Sequence, residues 1–129
     1  MEDIVIVHVL RFRFKDGTSD EDYAACMAAF RAVGEMESVL LGVVGQYTGR
    51  ESDTYTHSTT FAMADIEAFE RYINDPAHRR ADFIVHPHVI NFDAFDTWDE
   101  DDPDLAAKIA AIQESRLRND PELAKLAGH

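Results

Sequence analysis

Residues 4–14, IVIVHVLRFRF, set the strongest limit on the fold. Ile4, Ile6, His8, Leu10, Phe12 and Phe14 alternate with Val5, Val7, Val9, Arg11 and Arg13, the period of a β-strand, in which successive side chains point to opposite faces. Both alternating sets are largely apolar. Such a strand does not suit a sheet with one wet face; it needs cover on both sides. The chain must therefore place this strand centrally and find two layers for it.

The rest of the chain supplies one layer. Asp16-Gly17 turns the chain, and Ser19 is a suitable N-cap with acids in the first turn of a helix. Tyr23, Cys26, Met27, Phe30 and Val33 then follow at helical spacing up to Gly34. Residues 38–49, SVLLGVVGQYTG, read as a second strand, whose Gly42 and Gly45 mark a bulge or a close backbone approach. Residues 54–63, TYTHSTTFAM, read as a third, with Tyr55, His57, Thr59, Phe61 and Met63 on one face. Asp65 caps a second helix with Ile66, Phe69, Tyr72 and Ile73 on or near its inner stripe. Asp75-Pro76 breaks it, a short helical turn follows, and residues 85–96, VHPHVINFDAFD, alternate as a fourth strand with Pro87 near its start.

The order strand, helix, strand, strand, helix, strand is that of an α+β, ferredoxin-like βαββαβ unit. Its helices cover one face of the sheet only. A second copy of the chain, sheet against sheet, is the economical cover for the other, so a homodimer is expected. Residues 1–96 make up this unit, and residues 97–129 an acidic hinge and a C-terminal helical arm. The hinge lies in DTWDEDDPD, 96–104; in the arm Leu105, Ile109 and Ile112, with Leu117 nearby, form an apolar stripe expected to dock on its own or a partner subunit, and a surface helix with no specific role beyond packing is the favoured reading of it.

Composition narrows the partners. With 25 acidic and 12 basic side chains the formal charge is −13, a field that repels phosphate backbones and anionic lipid, so neither nucleic acid nor membrane is an expected partner. Cys26 is the sole cysteine, so no intrachain disulfide can form, and it falls within an apolar helical pattern. Acids precede the first strand where a secretory signal needs basic residues, and no run reaches the roughly 20 apolar residues of a membrane helix. A cytoplasmic setting is the expectation.

Candidate chemistry gathers at the break in the second helix. Asp75-Pro76-Ala77-His78 has an N-cap followed by proline at the first helical position, which restarts a helix and puts His78 at its third position. There the helix dipole disfavours imidazolium, while Asp75 and the negative net charge favour it. A neutral His78 suits a general base, and the phenol of Tyr72 suits a developing enolate oxygen. The purely structural alternative has His78 capping local backbone and Tyr72 in the core. The first and third strands are neighbours in this topology, and His8 and His57 share the helix-facing side, so both are expected beside one apolar pocket. His86 and His88, two apart on a strand, would point to one side, but no His-x-x-x-His, cysteine pair or evenly spaced acid accompanies them, and no metal site is expected. No phosphate loop, nucleophile elbow or dinucleotide fingerprint occurs, and no cofactor is expected.

HVLRFRFKDGTS, YTHSTTF and ERYINDPAHRRADF resemble the stress-responsive A/B barrel family of dimeric α/β barrel proteins, over roughly residues 4–95. The resemblance implies two sheets closing a barrel between subunits. One branch, resembling olivetolic acid cyclase-type polyketide cyclases, performs intramolecular aldol chemistry without a cofactor. It implies His78 as acid/base, Tyr72 as its assistant, His8 and His57 lining the pocket, and a small apolar, aromatic or polyketide-like ligand. The alternative within the family is a non-catalytic stress-response dimer with a structural or ligand-binding role.

Overall fold

The computed structural model describes residues 6–99 and 101–128. The first strand, β1, runs Ile6–Phe14; the expected positions Ile4 and Val5 lie outside the described residues. It is followed by α1 (Asp20–Gly34), β2 (Leu41–Gln46), β3 (His57–Met63), α2 (Ile66–Asn74), α3 (Pro76–Val85), β4 (Val89–Trp98), α4 (Leu105–Arg118) and α5 (Pro121–Leu126). The strands form one antiparallel sheet in the order β2-β3-β1-β4, so the doubly apolar β1 is central and the fold is ferredoxin-like.

On the helix-facing side, Ile6, His8, Leu10 and Phe12 of β1 sit beside Thr59, Phe61 and Met63 of β3. Cys26, Phe30 and Val33 of α1 and Phe69, Tyr72 and Ile73 of α2 close over them. Helix α1 starts where Ser19 accepts the Asp22 N–H, and α2 where Asp65 accepts that of Ala68. Gly42 marks the expected close approach: a Cβ there would stand 2.8 Å from the Gly34 Cα, so the end of α1 crosses β2 backbone to backbone. Gly45 has open space around it.

Four boundaries differ from the sequence expectation. Strands β2 and β3 begin at Leu41 and His57, later than the patterned runs. The restart after Asp75 is a full helix of 10 residues, capped by the Asp75 side chain on the Ala77 N–H at 2.8 Å. Strand β4 begins only at Val89, because α3 continues to Val85 and His86–His88 form a 3₁₀ turn around Pro87, which has no N–H for a ladder. His86 and His88 are therefore not strand neighbours. Just beyond, the β1–β4 register shifts opposite Arg11 and Arg13, and Asn91 takes up the extra residue at φ 57°, a region asparagine tolerates.

Among the described residues, nothing covers the opposite face of the sheet. Leu41, Val43 and Phe95 lie there at 52%, 57% and 46% exposure, beside Val7 and Val9. The arm lies on the other side of the molecule, as a further layer outside the helices. Ile109 and Ile112 of α4 pack on the core that contains Phe69 and Ile73, and Leu123 of α5 is only 2% exposed. Arg79 of α3 grips Asp120 at 2.6 and 3.3 Å, fixing α5 to its own subunit. Among the described residues, no helix is long and apolar enough to cross a membrane.

Candidate active site

Tyr72 and His78 come together because Asp75 is extended, at φ −68° and ψ 133°, between two helices. The chain turns there, and side chains six positions apart meet edge to face, with ring centroids 4.7 Å apart at 77°. Tyr72 is fully buried, and its hydroxyl has no hydrogen-bond partner among the described residues. The His78 side chain is partly buried, at 12% exposure. One turn further along α3, the Asp82 carboxylate brings Oδ2 to 3.2 Å from His78 Nδ1, although not in line for a hydrogen bond. The same Oδ2 accepts from Arg116 Nη2 of α4 at 2.5 Å, and His86 Nε2 is 3.7 Å from Oδ1. One carboxylate thus has three nitrogen neighbours.

Electrostatics separate the roles. Burial holds the His78 imidazole below its ordinary proton affinity; Asp82 opposes this, and Arg116 and His8 add to it. The balance favours the neutral ring. Burial also resists ionisation of Asp82, but His78 and the permanently charged Arg116 outweigh it and keep the carboxyl below its usual range. Burial, helped by Asp82, pushes the Tyr72 phenol up, so it can donate a hydrogen bond but not serve as a base.

His8 extends the cluster. Its Nδ1 lies 2.5 Å from Asp96 Oδ1, its opposite residue on β4, and its ring meets Tyr72 at a centroid distance of 5.6 Å. His8 and His78 both line a recess of about 480 Å³, bounded also by Leu10, Ile73, Asp82 and Phe92 and, from the arm, by Gln113, Arg116 and Leu117. Its volume and mixed lining are those of a small-molecule site. A void of about 20 Å³, the size of a water, shares Leu10, His78, Asp82 and Phe92 with it and touches Tyr72.

His57 is not part of this group. It does share the helix-facing side with His8, but it pairs with Phe12 while His8 pairs with Phe61, four positions along β1 and so about 13 Å away. Its Nδ1 is 2.9 Å from Thr56 Oγ1 and its Nε2 3.0 Å from the Tyr23 hydroxyl, beside a separate cleft that includes Arg13 and Lys15. Burial lowers its proton affinity as well. His86 and His88 diverge, one toward Asp82 and the other toward Asp22 at 4.0 Å. Asp82, Asp96, Gln113 and Arg116 were not among the sequence candidates. Only Asp82 had a local signal, its i+4 spacing from His78.

The charge of the nearby Asp82 carboxylate favours the neutral tautomer with its proton on Nδ1, which carries its lone pair on Nε2, the form that removes a proton from carbon next to a carbonyl. Among the described residues no activated nucleophile accompanies it, since the Cys26 thiol is buried and pushed up by that burial.

Comparison with known proteins agrees with the architecture. The chain is similar to a dimeric ferredoxin-like protein of unknown function from Thermobifida fusca, with 18% identity over 76% of this chain and 93% of that one and a TM-score of 0.65. A protein from Arabidopsis thaliana matches at 25% identity over 75% and 97%, with a TM-score of 0.62. The hydroxynitrile lyase of Passiflora edulis shares the fold at 13% identity over 76% and 95%, with a TM-score of 0.65. No curated protein matches. The model of the stress responsive A/B barrel domain matches residues 6–99, and the chain belongs to that family.

Proposed function

We propose that the protein is a homodimeric, cofactor-independent acid/base enzyme of the polyketide cyclase or related lyase/isomerase type, acting on a small apolar or aromatic carbonyl compound. The observation that carries this reading is the Tyr72–His78 pair, whose hydroxyl and Nδ1 have no aligned partner among the described residues: His78 lines the 480 Å³ recess, and the 20 Å³ void that touches Tyr72 shares His78 with it. Buried polar groups left unpaired cost stability, and their retention side by side at a recess favours use over packing.

In the proposed reaction His78 Nε2 takes a proton from carbon α to a carbonyl. The neutral Tyr72 phenol donates a hydrogen bond to the enolate oxygen. The enolate carbon attacks a second carbonyl of the same molecule, and the alkoxide formed recovers the proton from the His78 imidazolium. His8, held by Asp96, borders the same space and orients the substrate. In this reading His57 serves a second cleft rather than the reacting centre.

The dimer is part of the proposal. Leu41, Val43 and Phe95 offer an apolar face, and the Arg11 charge on it is already matched by Asp93 at 2.8 Å within the subunit, so the face can be buried without stranding a charge. Linear poly-β-keto thioesters incubated with the protein should yield cyclised product by mass spectrometry, and His78→Ala should abolish it with an unchanged melting temperature. Equal product from His78→Ala would remove His78 from the chemistry and leave a ligand-binding dimer as the better reading.

A further inference from the structure

The wall of the recess facing the histidines comes from the arm, outside the residues that match the family domain: Gln113, Arg116 and Leu117 of α4, with Leu126 and Ala127 at the end of α5. The polar groups on this lining are unbalanced. Five of them, His8, His78, His86, Gln113 and Arg116, carry nitrogen. The single carboxylate, Asp82, is already flanked by Arg116 at 2.5 Å, His78 at 3.2 Å and His86 at 3.7 Å. Asp82 is thus already engaged, and Arg116 brings a permanent positive charge to the lining. Arg116 is the one lysine or arginine that lines it.

A guanidinium has five N–H donors in a planar fork. Asp82 is the only hydrogen-bond partner of Arg116 among the described residues, and it engages Nη2 alone, so the rest of the fork, on a side chain 15% exposed, has no protein acceptor. A planar carboxylate fits such an edge, whereas a phosphate dianion would find one shared cation in a chain of formal charge −13. The remaining lining, including Leu10, Ile73, Phe92 and Leu117, is apolar.

We infer that this recess binds a small organic carboxylate, its head on Arg116 and its apolar body against Leu10, Ile73 and Phe92. The arm is then the specificity element that this chain adds to the family domain. The inference deepens the proposed function by naming a substrate feature, but it concerns binding and can be tested apart from turnover.

Calorimetric titration of the full chain with 2-naphthoate and 2-naphthamide separates the two. Wild type should bind the carboxylate about 10–100-fold more tightly than the amide, the range expected for hydrogen bonds to a charged group. In buffer alkaline enough to keep His78 neutral in every variant, Arg116→Gln should lose that preference while still binding the amide, which also reports an intact recess. Arg116→Lys, which keeps the charge without the fork, should retain an intermediate preference. A wild type indifferent to the exchange, or an Arg116→Gln or Arg116→Lys protein with the full preference, overturns the inference. His78→Ala should keep the preference whatever it does to turnover, so a failed catalytic reading and a failed carboxylate site give different results.

Discussion

Replacing Arg116 with glutamine should raise the proton affinity of His78. Arg116 Nη2 and His78 Nδ1 flank the same Asp82 oxygen at 2.5 and 3.2 Å, so they are at most about 6 Å apart. A unit positive charge at that distance disfavours imidazolium by about 3 kcal/mol at an effective dielectric constant near 20. Burial of the ring persists in the variant, and Asp82, released from Arg116, turns its full charge on His78 in the same direction. Residual screening reduces the first effect, but both act in the same direction, so the midpoint rises. Titration of the ¹³C-labelled imidazole by NMR reads the midpoint directly, without a substrate. In wild type it should fall below the ordinary 6.5, with burial as the main cause. An Arg116→Gln midpoint equal to or below that of wild type would refute the electrostatic argument. The sign carries over to stability: as pH falls from 6.5 to the native midpoint, the unfolded chain takes up a proton that native His78 does not, so stability declines over that window. Arg116→Gln narrows the window and should flatten the decline in melting temperature.

Tyr72→Phe removes a buried hydroxyl without a partner among the described residues, so the melting temperature should hold or rise, by up to about 1–3 kcal/mol of stability, while product formation falls; a clear loss of stability would show that the hydroxyl supports the fold. Val43→Glu places a charge on the open sheet face, where Val43 is 57% exposed in the single subunit, and should convert a sedimenting dimer into a folded monomer; an unchanged dimer would put the interface elsewhere.

The element order was legible because alternation of period two and helical spacing occupy separate stretches of the chain, and the crossing at Gly42 because a glycine in a strand asks for a close neighbour. The start of β4 was misread for a physical reason. Val85, Pro87 and Val89 mimic strand alternation, yet Ala81 and Val85 extend the buried stripe of α3, both being buried in the structure, and Pro87 cannot join a ladder. The same error hid Asp82, whose i+4 relation to His78 matters only if α3 is a full helix. His57 shows the limit of facing arguments: parity tells which side a strand residue takes, not how far along the partner strand it lies. Asp96 and Arg116 reach the site from 88 and 34 positions away from His8 and Asp82, separations at which no local pattern operates.

The bare side of the sheet and the recess point in opposite directions, since Val7 and Val9 look one way and His8 and Leu10 the other. Two subunits joined back to back would leave each cup opening outward, walled entirely by its own chain. Nothing then links filling of one cup to the other, and saturation of the pair should follow a single hyperbola with two equal, independent seats.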